Sequence, residues 1–331
     1  MLFHSHMKLP CYRPFIWILV SFVCVVTYLG ALKLRVQTAS TTCPPNRQPD
    51  LATARNLHVS DCFENHRYNI VVDAAHRNYH TLDCTYAAFG VISQRAGYNI
   101  TSVRLTGSMM PPLNTIIVIA GALAFDSWSH PFSHQAFQDS EIQRLHRWVT
   151  QGGSLLLAFD HMPLSSATKS LALAFGVSFS DDFTFQNVSG DLRGTFDFVD
   201  KPLNGQSSIG THVITTGQQD YQRISRVTTF TGQAFDAKDG APLLILGDDI
   251  ISAFPTKPWI FDDAPLRRAS GKLQGVAIEV GKGRVIVLGE CAFITAQRVN
   301  GQPSMGLNVA PHNVQFLLNT LRWLSHDFEV F

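Results

Sequence analysis

No excess of charge marks this chain. Across 331 residues, 26 Lys and Arg stand against 25 Asp and Glu, and no basic run stands out. Nucleic-acid binders carry clustered Lys and Arg, so no nucleic-acid partner is expected. Internal repeats and low-complexity tracts are missing too, which removes repeat architectures. No phosphate-loop spacing occurs. The segment Gly281-Lys282-Gly283-Arg284 sits between two apolar runs and reads as a hairpin turn. The length suffices for one large α/β domain or two small ones.

What is present begins with Phe15 to Leu32, an uncharged apolar run. As a helix it would extend about 27 Å, close to the ~30 Å of a bilayer's hydrocarbon core. Lys8 and Arg13 precede it, and Lys33 and Arg35 follow at once, so an uncleaved single-pass membrane anchor is expected over residues 15–32, after a tail over 1–14. Residues 33–67 read as a linker rich in turn-forming residues. Outside the anchor region lie Cys43, Cys62, Cys84 and Cys291. Cys43 and Cys62 could form a disulfide in an oxidising compartment, which places the remaining chain outside the cytoplasm.

The folded domain is expected over residues 68–328. Asn69 to Val72 is a buried strand, and Leu82, Tyr86, Phe89 and Ile92 recur at helical spacing before Gly97. Strands follow at Asn99 to Leu105 and at Thr115 to Ala120, then a helix over Ser140 to Thr150 with Ser140 and Gln143 as a capping box. Ser154 to Phe159 is another buried strand, and Ser166 to Phe175 a further helix. Residues 177–272 read as a β-rich excursion. Gly275 to Val280 and Arg284 to Leu288 form a hairpin, and Pro311 to Ser325 a last amphipathic helix. This order predicts an α/β, flavodoxin-like, mostly parallel sheet with helices on both faces.

Ligands in open α/β sheets bind beyond the carboxyl ends of strands, so polar residues there are site candidates. The first strand ends in Asp73, His76, Asn78 and His80. A middle strand ends in Asp160 and His161, and a late one leads to Glu290 and Gln297. Asp73, His76, Asp160, His161 and Glu290 are the candidate catalytic residues. His76, His80, Asp160 and His161 form a ligand set suited to a divalent metal that could activate water. The same groups could act without metal as acid and base, or hydrogen-bond a polyol or peptide. Structural roles compete: Asp73 could cap the following helix, and His161 could orient a turn. Cys291 with His312 offers a nucleophile and base, although a small buried cysteine is the commoner case.

Five blocks add a resemblance: VDAAHRNYHT at residues 72–81, EIQRLHRWVTQGGSLLLAFDHMP at 141–163, TFTGQAF at 229–235, GKGRVIVLGECAFITAQ at 281–297 and MGLN at 305–308. Together they resemble the uncharacterised bacterial branch of the class I glutamine-amidotransferase-like superfamily, grouped with intraflagellar-transport-type domains. The resemblance covers roughly residues 68 to 326 and implies the flavodoxin-like fold. True amidotransferases carry a nucleophilic Cys on a glycine-flanked elbow. Here SLLLAF runs into Asp160, and no Gly-x-Cys-x-Gly exists. Glutamine hydrolysis by that route is not expected. The leading expectation is a hydrolase-like, metal-assisted activity on a small or cell-envelope substrate. The rival is a non-catalytic ligand-binding or scaffolding module of a membrane complex.

Overall fold

Thr115–Ala120 and Ser154–Ala158 are buried at every position, which only a strand covered on both faces requires. In the computed structural model these two strands lie side by side at the centre of a nine-stranded sheet. The structure describes residues 43, 47–60, 68–106, 109–125, 134–200 and 207–328, all within one unit, Thr41–Phe331.

In chain order the elements are β1 (Arg47–Pro49), α1 (Leu51–Asn56), β2 (Asn69–Asp73), α2 (Ala87–Arg95), β3 (Asn99–Val103), β4 (Thr115–Ala120), α3 (Asp139–Thr150), β5 (Ser154–Ala158) and α4 (Leu164–Ala174). A β-rich stretch follows. It comprises β6 (Val177–Phe179), β7 (Phe183–Val188), β8 (Asp191–Arg193), β9 (Thr195–Val199), the one-turn α5 (Val213–Thr216), β10 (Arg226–Phe230), β11 (Phe235–Ala237), β12 (Ala241–Ile245), β13 (Ile250–Ala253) and β14 (Leu266–Arg268). Then come β15 (Leu273–Val280), β16 (Gly283–Leu288), β17 (Ala296–Val299), β18 (Gln302–Gly306) and α6 (Asn313–Leu324).

The large sheet runs β3-β2-β4-β5-β16-β15-β11-β6, with β12 also on β15. Successive side chains of its central strands point to opposite faces, as the pleat dictates. Ile116, Val118, Leu156 and Ile286 join one core with Phe89 of α2 and Leu317 of α6. Ile117, Ile119, Leu155 and Val285 join the other with Ile142 and Trp148 of α3. The capping box of α3 is Gln138 and Glu141, with the Glu141 carboxylate accepting from Gln138 N–H at 2.9 Å, rather than Ser140 and Gln143. Gly283 lets the β15–β16 turn press against that helix. A Cβ there would lie 2.0 Å from the Val149 carbonyl oxygen.

Several expectations are corrected. The fold is not flavodoxin-like but mixed and sheet-rich. In the large sheet β3–β2, β2–β4, β4–β5 and β5–β16 pair parallel, whereas β16–β15, β15–β12, β15–β11 and β11–β6 pair antiparallel. Three further sheets exist among the described residues, β1-β17-β18, β10-β9 and β14-β13-β7-β8. The cause is local. The tight turn at Gly281 (φ +63°) folds β16 back on β15, and the strands of residues 177–272 pair antiparallel with one another or, for β11 and β12, with β15, instead of forming a crossover helix.

The expected single-pass anchor, with an extracytoplasmic domain behind it, is also withdrawn. No helix among the described residues is long and apolar enough to cross a membrane, and residues 15–32 lie outside them. The disulfide pairing changes as well: Cys43 bonds to Cys84, not to Cys62. β1 and α1 fall inside the stretch read as linker.

Candidate functional site

The strands β2, β4, β5 and β16 lie side by side and parallel, so their carboxyl ends share one edge of the sheet. Asp73, Asp160 and Glu290 all emerge there, yet their side chains divide into two groups.

The first group surrounds Asp73. Its buried carboxylate accepts from Ala75 N–H at 2.9 Å, Leu105 N–H at 3.3 Å, Asn78 Nδ2 at 2.7 Å and His76 Nδ1 at 2.6 Å. Burial pushes its pKa up, but the His76 bond and charge, with the Ala75 and Asn78 bonds, outweigh that, and the group sits below the usual carboxylate range. Burial pulls His76 down, whereas Asp73 and then Glu141, 3.5 Å from Nε2, pull it above the usual histidine value. The imidazole stacks on Phe137 at 3.8 Å. A small cavity of about 20 Å³ lies beside it, lined by Leu105, Met110 and Glu141 among others.

Asn78 explains why His80 departs from this group. Its Nδ2 holds Asp73 while its Oδ1 accepts from Ala120 N–H at 3.1 Å, clamping the loop onto the end of β4. Backbone bonds from Tyr79 to Gly121 and from His80 to Ala120 continue the crossing.

His80 then joins Asp160 and Cys291. One ligand atom of each lies within 4.8 Å of the other two, and all three residues are buried. Burial first, then the charges of Arg47 and His161, push the His80 pKa down to about 3, so the ring is neutral at ordinary pH. Its Nδ1 is 2.7 Å from the Thr85 hydroxyl, which leaves Nε2 for a ligand. The Cys291 thiol donates to Asp160 Oδ2 at 3.1 Å. Burial, then Asp160 and Glu290, push that thiol well up, so it is no thiolate by itself. His312, its suggested base, bonds instead to Thr228 at 2.9 Å.

Glu290 and His161 line this second group in supporting positions. Both Glu290 oxygens accept backbone N–H groups, from Ala292 at 2.6 Å and Phe293 at 2.8 Å, which fixes the turn that carries Cys291. Burial and then the charge of Asp160 raise its pKa well above the usual range. His161 donates Nδ1–H to the Met162 carbonyl at 2.8 Å, leaving Nε2 3.6 Å from Asp160. Its ring stacks on Phe183 and meets the half-exposed Trp259 edge-on at 4.7 Å. Buried Gln297 donates to the Thr295 hydroxyl at 2.9 Å.

Of the four expected metal ligands, then, His80 and Asp160 belong to the three-donor group, and His76 and His161 do not. Cys291 completes it. The strand-end rule that singled out Glu290 reaches its neighbour equally well. Thr85, Tyr79, Arg47 and Trp259 had no comparable signal.

Comparison with known proteins adds a fold. The chain resembles the mmIFT52 N-terminal domain in architecture. That likeness has a TM-score of 0.53 at 13% identity, and covers 80% of this chain and 100% of that one. An exo-beta-1,4-mannosidase, Op5Man5 from Opitutaceae bacterium strain TAV5, matches at TM-score 0.40 and 13% identity, over 78% of this chain and 36% of that one. The cytoplasmic protein STM1381 from Salmonella typhimurium LT2 matches at TM-score 0.35 and 13% identity, over 72% and 85%. No family model and no curated protein matches.

Proposed function

We propose that this chain binds a divalent transition-metal ion at His80, Asp160 and Cys291 and uses it for hydrolase-like chemistry on a small molecule. The observation that carries the reading is the three-donor group itself, assembled from three separate segments on one sheet edge. Nitrogen, oxygen and sulfur donors suit zinc, and three protein ligands leave a fourth position for water or substrate. Tetrahedral bonds of ~2.0–2.3 Å place donors roughly 3.3–3.8 Å apart, and the three donor atoms already lie within 4.8 Å of one another, Cys291 Sγ and Asp160 Oδ2 at 3.1 Å. Charge supports it too. A dication with one thiolate, one carboxylate and a neutral imidazole sums to zero, which a buried site favours. Thr85 on His80 Nδ1 is the kind of outer partner that holds a ligating imidazole in place. A bound ion would lower the pKa of its water and of the Cys291 thiol.

The likeness to mmIFT52 supports a finer assignment, to the bacterial amidotransferase-like branch grouped with intraflagellar-transport-type domains. The missing cysteine elbow and the protonated Cys291 turn the reading away from glutamine hydrolysis.

Elemental analysis of the full-length protein tests the metal. One equivalent is expected in the parent and in Asp73→Asn, and far less in His80→Ala and Cys291→Ser, each checked for folding by circular dichroism. No metal in the parent after incubation with zinc, manganese and nickel would overturn the reading in favour of a non-catalytic binding module.

A further inference from the structure

Arg47 carries a positive charge beside this site. It is half-buried on β1, and among the described residues no carboxylate is seen to pair with it. A guanidinium offers five N–H donors in a fixed fork. One of them, on Nη1, donates to the Tyr79 hydroxyl at 2.5 Å, and the group lies 5.6 Å from that ring's centre. Among the described residues no other hydrogen-bond acceptor meets the fork.

Its place relative to the donor group is held from three directions. Tyr79 adjoins His80, and the two rings meet edge-on at 5.0 Å. β1 pairs antiparallel with β17, Arg47 opposite Val299, and β17 follows closely on the turn that begins after Cys291. Cys43, just upstream, is bonded to Cys84, the neighbour of the Thr85 that holds His80. A fork held in this way, with one donor on Tyr79 among the described residues, matches the geometry of phosphate or carboxylate oxygens.

We propose that the substrate of this site carries an oxyanion, phosphate or carboxylate, and that Arg47 receives it while Tyr79 fixes the guanidinium. The inference rests on the metal-site reading for what happens next to that anion, but not for its binding. Arg47 is thus a specificity-determining residue.

Calorimetric titration of the full-length protein with inorganic phosphate, and separately with acetate, tests this at low ionic strength, with and without chelator. The parent should bind at least one of the two, and the stronger ligand names the oxyanion. Arg47→Gln should weaken that binding roughly 10- to 100-fold, with Arg47→Lys in between. The control Arg193→Gln, at an exposed arginine paired with Asp191, should match the parent. Unchanged binding in Arg47→Gln, or no binding of either anion by the parent, would overturn the proposal. Zinc content measured on the same samples separates the two readings. Binding that depends on Arg47 in protein that never takes up metal would sink the metal site and leave this inference standing.

Discussion

Asp182 provides a test of the physical account away from the site. It is fully buried between β6 and β7, its Oδ1 accepting from Ala234 N–H at 2.9 Å. Burial pushes its pKa from 3.8 up to about 6, against the opposing pull of Ser252, Ala234 and Lys272. The folded state therefore holds this proton more tightly than the unfolded chain does. Protons favour folding here, so this group's contribution to stability is greatest below about pH 4 and falls as pH rises to about 6, where the folded group ionises. The rise from 3.8 to about 6, at ~1.36 kcal/mol per tenfold change in proton affinity, gives a loss of about 3 kcal/mol by pH 7. Asp182→Asn keeps the acceptor for Ala234 and removes the charge. Urea denaturation of both proteins from pH 4 to 7.5 should show near-equal stability at the acid end and the variant ahead by about 2–3 kcal/mol at pH 7. Other titrating groups are common to both proteins and cancel in the difference. Parallel profiles, or a variant less stable at pH 7, would refute the reasoning.

Other outcomes follow from the same geometry. Asp73→Ala strips five donors, three of them in buried bonds, of their acceptor and should cost about 3 kcal/mol or more in denaturant unfolding. The Asp73 contribution is present above the usual carboxylate range and lost on acidification, while that of His76 is present below about pH 6.5 and lost as pH rises through its raised value. Their joint contribution should therefore peak at about pH 4–6.5, and Asp73→Asn should lower the His76 pKa followed by NMR. An unmoved His76 would count against the pair. Removing the Cys43–Cys84 bond by Cys84→Ser frees a loop spanning 41 residues, with an expected loss of about 4 kcal/mol by the chain-entropy estimate. An unchanged midpoint would show the bond to be idle.

How far the sequence could be read depended on the range of the forces involved. Thr115–Ala120 and Ser154–Ala158 were visible because burial on both faces writes an unbroken apolar run. The hairpin at Gly281 was visible because a tight turn is a local matter. The pairing of residues 177–272 was not, since strands such as β7 and β13 find partners far along the chain and leave no signal in their spacing. The position of Asp73, Asp160 and Glu290 at or just beyond strand ends was legible from the apolar runs alone. The split into two groups was not, because it turns on Asn78 gripping β4 and carrying His80 across. Arg47 had no signal at all, since its role comes from a disulfide and a strand pairing in a stretch that reads as linker.

The central claim is that Cys291 ligates a metal together with His80 and Asp160. Cobalt(II) loading of the full-length protein, followed by absorption spectroscopy, addresses it most directly, because a thiolate bound to cobalt gives a ligand-to-metal charge-transfer band that a free thiol does not. The account predicts that band in the parent at one cobalt per chain, its loss in Cys291→Ser, and its persistence in Asp73→Asn. Cobalt bound without the band, or a band that survives Cys291→Ser, would contradict it.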